Sequence, residues 1–528
     1  MTTVSITGAS GNMGSETLRQ LCESDRNYKI KILLLDTFGE RQFARRVKKL
    51  YKSDVEVIFG DITDKEACKK LVEGADYVLH MAAIIPPKSD RDAHLTRKVN
   101  YGGTVNMVNA VKDTARKGKE AKFVYVSTVA LYGHRNYLHP WGRVGDPLLP
   151  SVFDVYAASK LKAERYVLES GLQNWGIVRQ TGILYDKLLL KNISDGLMFH
   201  TGWNVPLEWV TAEDSGRLMK NIVEFDLENK ADKFWKRCFD IGGGKENRQT
   251  GFETFNDGFG LIGGSAEKFM EPNWNMSRNF HGVWFADGNE LNDIFDYVRQ
   301  DIKGFWEEMR KKHKIYRLAT AFPPKFIKKL VFGRLLKDEN SPVFWIDKEE
   351  NAKVKACFGS RQNIEACPSD WEDYPLLSKN QITDVKAEYE EMKEERIAKD
   401  KGYLLDHGYD ETKPDSELGI EDMRKAAEFR GGKCLSENMV KGDLYTKLEW
   451  ACCDGHRFFA SPYTVLKAGH WCETCCEPDP VWRYDVLAKK IPFFAQVWFD
   501  THAINENTFY EIYPDSSTGC RKIKEATV

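Results

Sequence analysis

Apolar and polar positions alternate at the start of the chain, with Val4 and Ile6 flanked by polar neighbours, which predicts a short buried strand. Glycines at 8, 11 and 14 follow at once, where a strand must turn sharply into a helix, and the helical spacing then runs from about residue 12 to 22. Apolar runs at residues 30–35, 55–59, 77–80 and 175–179 predict further strands. Helix-like sequence follows each of the first of them, and this βαβα alternation predicts an α/β fold with a doubly wound parallel sheet.

The glycines carry the first chemical reading. A backbone without Cβ atoms can approach a pyrophosphate closely, and the helix that follows points its N–H groups and positive dipole end at the phosphates. Gly8, Ser10, Gly11, Asn12, Met13 and Gly14 are therefore candidate cofactor contacts. Asp36 ends the second strand about twenty residues on, where a carboxylate accepts from ribose hydroxyls and repels a 2′-phosphate. That favours NAD over NADP, although Arg41, Arg45 and Arg46 lie close enough in sequence to meet a phosphate.

The motifs T-G-x-x-G-x-x-G, G-D-I-T-D at 60–64, H-M-A-A at 80–83, V-N-Y-G-G-T-V-N at 99–106 and V-S-T-V-A-L-Y-G at 126–133 come in one order. Together they resemble the extended short-chain dehydrogenase/reductases, the NAD-dependent epimerase/dehydratase group, over roughly the first 250 residues. The resemblance implies that Asp61 and Ile62 flank the adenine, that Met81, Ala82 and Ala83 border the dinucleotide, and that Asn100 belongs to the cofactor site, its plainer alternative being a tie between a helix and the neighbouring loop. It also implies a triad of Thr128, Tyr156 and Lys160. The four-residue spacing puts Tyr156 and Lys160 on one helical face, where the ammonium favours the tyrosinate and the tyrosine moves a proton at the substrate oxygen. Glu164, Arg179 and Asp214 read as structural.

Substrate class is narrowed by departures from the family pattern. Arg179-Gln-Thr-Gly-Ile-Leu-Tyr185-Asp lacks the Asn and Gly-Pro that sugar-nucleotide enzymes of the group usually carry, and Val129-Ala130 replaces the acidic pair of the 4,6-dehydratases. The expectation is an enzyme, an oxidoreductase that moves a hydride between NAD and an alcohol or ketone, with a hydrophobic, hydroxysteroid-like small molecule as substrate. A nucleotide-sugar epimerase and a non-catalytic NAD-binding scaffold are the alternatives.

At 528 residues the chain exceeds one such domain. The expected division is 1–250 for the NAD-binding domain, 251–340 for an aromatic-rich cap, 341–430 for a helical linker and 431–528 for a Cys-rich zinc module. Seven of twelve Cys fall between 434 and 520, which marks that last segment as separate. Cys452, His456, Cys472 and Cys475 are the expected Zn²⁺ ligands, with Cys434 as an alternative to His456. A C-x-x-C knuckle closes half of a tetrahedral site and a Cys/His pair the other half, which makes the ion structural. The module resembles a zinc ribbon or treble clef, with a structural or homodimerising role.

Net charge of −2 and the absence of a basic stripe in the last hundred residues exclude a nucleic-acid partner. No apolar run reaches eighteen residues, and the first strand starts by residue 4, which predicts a cytoplasmic protein. Residues 311–337 interleave Lys and Arg with large apolar residues and are split by Pro323-Pro324 into two short helices. Such a stretch either lies on an anionic membrane surface or packs on the protein's own core, and the second is favoured. Residues 383–400 read as a solvated helix without functional consequence.

Overall fold

The computed structural model describes residues 1–51, 54–115, 118–379, 381–382, 404–514 and 521–527. The helix expected over 383–400 lies outside them.

Seven strands form one sheet: β1 (Thr2–Thr7), β2 (Tyr28–Leu34), β3 (Asp54–Phe59), β4 (Tyr77–His80), β5 (Lys122–Thr128), β6 (Trp175–Gln180) and β7 (Arg237–Ile241). Their order is β7-β6-β5-β4-β1-β2-β3, and every pairing is parallel. Strands buried on both faces need apolar side chains at nearly every position, which is why Tyr77–His80 and Trp175–Gln180 carry no alternation. Helices cover both faces: α1 (Asn12–Cys22), α2 (Phe38–Leu50), α3 (Lys65–Val72), α4 (Thr104–Asp113), α5 (Val155–Leu168) and α6 (Ala212–Leu227). The order reverses between β1 and β4, and a crevice opens there beyond the carboxyl ends of the strands.

Two later helices shape the far side of that crevice, α7 (Gly251–Gly260) and α8 (Ile302–Lys312). Their inner residues Phe259, Phe305 and Trp306 join Leu189, Met198 and Trp203 in one apolar cluster. Part of the 251–340 segment thus lines the far side of the crevice.

The Cys-rich end is not set apart, contrary to the expectation of a separate module. Trp450, Tyr463, Leu466, Trp471 and Phe493 share one core with Phe123, Tyr125, Val167 and Trp175 of the sheet and its helices. Tyr463 meets Trp175 edge-on at 5.8 Å and accepts the Cys238 N–H at 2.7 Å. Part of the expected linker packs with this end too, since Leu405, Met423 and Ala426 belong to the same core.

This docking explains the odd composition of α5. Eleven of its fourteen residues are buried and Lys162 alone is exposed, and Glu164 and Arg165 meet partners from the C-terminal segment. Glu164 is fully buried, bonded to Arg179 at 2.7 Å and to His470 Nε2 at 3.0 Å. Arg179 also donates to the Ala468 carbonyl at 2.7 Å, and Arg165 donates to that of Trp471. Burial opposes the charge on Glu164, but Arg179 and then His470 hold its carboxyl well below the usual range.

Candidate functional site

The glycine turn has the geometry that its sequence demands. Gly8 adopts φ +73°, and a Cβ there would lie 2.9 Å from the Ala82 nitrogen. A Cβ on Gly14 would stand 2.0 Å from the Gly8 carbonyl oxygen, so α1 packs directly on the turn. The next loop is tied to the turn through Thr7, whose Oγ accepts the N–H groups of Met81 and Ala82, each at 3.1 Å. With its acceptor side taken, Thr7 donates to His80 Nδ1 at 2.7 Å. His80 Nε2–H then donates to Thr104 at 3.0 Å, and Thr104 to the Asn100 carbonyl at 2.7 Å. The chain of donors requires a neutral, Nε2-protonated His80, and burial pushes its pKa down to about 3.

A cavity of about 980 Å³ runs from this turn to α7 and α8. Gly8, Ser10, Gly11, Asn12, Met13, Gly14, Asp61, Ile62, Met81, Ala82 and Ala83 line one end; Thr128, Tyr156 and Lys160 line the middle. The far end is walled by Leu188, Leu189, Met198, Phe255, Phe259 and Trp306.

Two predicted residues lie elsewhere. Asp36 is absent from the wall: it is half-exposed and paired with Arg41, the nitrogens at 2.5 and 2.8 Å from its oxygens. The carboxylate on the wall is Glu40, one turn along in α2, which accepts from Ser10 Oγ at 2.8 Å. Sequence reading passed over Glu40 because the strand-end position drew the assignment, although Thr37 at the N-cap already marked where α2 begins. Asn100 is buried behind the wall, bonded to both backbone groups of Ile84 at 2.7 and 3.0 Å and to Ser159 at 3.0 Å. It ties helix to loop and does not reach the cavity wall, against the expectation of a cofactor contact.

Lys160 is buried and donates to the Val126 carbonyl at 2.6 Å, with its ammonium 4.0 Å from the Tyr125 ring centre. Burial brings its pKa down to about 7, against the pull of Glu164. Enclosure pushes the Tyr156 hydroxyl up to about 12, while a hydrogen bond with Thr128 works the other way. Thr128 closes β5, Tyr156 opens α5, and Asp154 caps that helix through the Ala157 N–H at 2.8 Å. Ser127 also reaches the wall.

Whether the turn fits a dinucleotide is tested by its helix end. The side chains of Thr37, Asp64, Asp154 and Thr211 cap α2, α3, α5 and α6, whereas Gly11 at the N-cap of α1 offers none, and no acidic residue stands in its first turn. The first N–H groups of α1 thus face the cavity without a capping side chain, beside a cradle that any Cβ would fill, and this fits a diphosphate.

Away from the cavity, Cys452, His456, Cys472 and Cys475 converge with their ligand atoms all within 4.8 Å of one another. His456 Nδ1 lies 3.4 Å from Cys452 Sγ and 3.8 Å from Cys472 Sγ. Cys434, the expected alternative ligand, is not in this group: it pairs in a short strand with Trp450, and His456 takes the fourth place.

A parallel sheet in this order, with a glycine cradle at its switch point, defines a Rossmann-type α/β protein of the dinucleotide-binding kind. Within it, residues 4–184 match the NAD dependent epimerase/dehydratase family. The 3 beta-hydroxysteroid dehydrogenase/Delta 5-->4-isomerase of Mycobacterium tuberculosis is 32% identical over 175 residues, 31% of this chain and 42% of that protein. Anthocyanidin reductase of Arabidopsis thaliana is 24% identical over 132 residues, 25% of this chain and 37% of that protein. The chain thus spans about two fifths of the length of these curated relatives. Among solved structures, the dTDP-glucose 4,6-dehydratase of Streptomyces venezuelae with NAD bound has a TM-score of 0.48 at 20% identity, covering 60% of this chain and 98% of that one.

Proposed function

We propose that this protein is an NAD-dependent oxidoreductase acting on an alcohol or ketone group of an apolar small molecule. The observation that carries the reading is the single cavity in which the uncapped α1 terminus, the Thr128–Tyr156–Lys160 group and an apolar chamber follow one another. Bound along the glycine turn, NAD supplies the hydride acceptor or donor. Thr128 positions the substrate oxygen and its hydrogen bond works against the enclosure that holds the Tyr156 hydroxyl protonated, Tyr156 gives or takes the proton, and Lys160 on the same helical face favours the tyrosinate. Glu40, with Asp36 and Arg41 outside the wall, disfavours a 2′-phosphate. The hydroxysteroid-dehydrogenase likeness and the walls of Leu, Met, Phe and Trp support a sterol-like substrate.

The Cys/His group supports a structural Zn²⁺ held by Cys452, His456, Cys472 and Cys475. Three thiolates and one imidazole are a tetrahedral zinc donor set with no vacant position for a reacting water. Purified protein assayed with NAD(H) against sterols, simple ketones and nucleotide sugars, read by NADH absorbance, tests the activity. Turnover of nucleotide sugars alone would overturn the substrate class.

A further inference from the structure

The basic stretch after α8 packs on the protein's own core through only part of its apolar residues. Among the described residues Phe332 and Leu335 are buried in the apolar cluster of α7 and α8, and Ile327, Val331 and Leu336 pack against it. Ile315, Leu318, Phe322, Phe326 and Leu330 stand 50 to 69% exposed, with Phe322 and Phe326 stacked on one another at 5.8 Å. Pro323 and Pro324 interrupt the segment, which runs through the turns Lys314–Ala321, Pro324–Ile327 and Lys328–Phe332. Between Arg310 and Lys337 the sequence holds ten Lys and Arg and no Asp or Glu, in a chain whose net charge is −2.

We infer that this segment is a membrane-docking surface, seating the protein on an anionic lipid bilayer. Charge complementarity selects the partner: the lysines meet anionic headgroups, while the interleaved Ile, Leu and Phe tips enter the acyl boundary. A nucleic acid would satisfy the charges and leave five large apolar side chains in water, and an isolated apolar patch of this kind is uncommon on a soluble surface. A second copy of the same segment would bring ten like charges against ten. The segment shares a wall with the cavity. Phe332 packs edge-on against Phe259 at 5.5 Å, and Phe259 lines the chamber. His313 bonds Asp186, next to the lining residue Tyr185, and the short helix Leu188–Asn192 turns Leu189 inward and Leu190 outward. Docking by this face sets the apolar end of the cavity against the bilayer.

Sedimentation of the full chain with phosphatidylcholine vesicles containing phosphatidylserine, and with phosphatidylcholine alone, tests the inference without using turnover. Binding is expected only to the anionic vesicles, weakening with added salt. Phe322→Glu together with Leu330→Glu should weaken it on the order of tenfold or more, with an unchanged melting temperature, because both side chains are exposed. Failure to bind anionic vesicles, or equal binding by the variant, overturns the proposal. So does concentration-dependent self-association that the variant abolishes, since the occupant is then a second copy. Loss of oxidoreductase activity in the substrate screen would leave this result standing, as vesicle binding reads the surface and not the chemistry.

Discussion

Tyr156 and Lys160 sit on one helical turn, yet their environments pull both away from ordinary behaviour, the phenol upward and the ammonium down to about 7. In the proposed reaction the proton at the substrate oxygen passes through the Tyr156 hydroxyl, so Tyr156→Phe should lower turnover about a hundredfold or more while NAD affinity, measured by fluorescence titration, changes little. At the other end of the cavity the carboxylate that matters is Glu40. Glu40→Gln should narrow the preference for NAD over NADP more than Asp36→Asn does, because Asp36 is held outside the wall by Arg41. Competition of the two dinucleotides for each variant decides between them; a larger effect at Asp36 would restore the strand-end position.

On the scale of elements, α5 joins the two halves of the molecule. One end carries Tyr156 and Lys160 into the cavity, and Glu164 one turn later is locked to Arg179 and His470. Removing one partner of a buried pair leaves an uncompensated charge, so Arg179→Ala should cost about 3–5 kcal/mol in denaturant unfolding. The same connection changes what loss of the proposed zinc ligands should do. Cys472 and Trp471 lie in the core that backs α5, so Cys472→Ser with Cys475→Ser should lower the stability of the whole chain in one transition. Two separate unfolding steps would show that the C-terminal segment folds by itself.

For the whole molecule, acid is the expected weakness. His80 is buried as the neutral ring with its pKa lowered to about 3, and the unfolded chain binds that proton near 6.5. The stabilisation is present above the unfolded value and is lost as pH falls toward the folded one. This residue alone should remove about 2 kcal/mol of stability between pH 7.5 and pH 5. Enclosure lowers His134 and His200 in the same direction, each to about 4. Urea unfolding at the two pH values measures the sum, and His80→Gln should flatten the slope. Metal analysis of protein purified without chelator should find close to one zinc per chain.

Local rules were enough to place the glycine-turn end of the cavity and the Cys/His group. A positive-φ glycine, an uncapped helix start, a four-residue Tyr-Lys spacing and a C-x-x-C knuckle each act over a few residues, so periodicity and spacing reveal them. Other outcomes depended on which surfaces meet. Glu40 and not Asp36 stands on the wall, where it meets Ser10 while Arg41 holds Asp36 outside, and Cys434 was left out of the Cys/His group by the register of its strand with Trp450. The burial of eleven of the fourteen residues of α5 was decided by packing between segments hundreds of residues apart, and the exposure of Phe322 and Leu330 by the lack of such packing. An apolar residue favours leaving water, but its own sequence does not state whether another part of the chain is there to cover it.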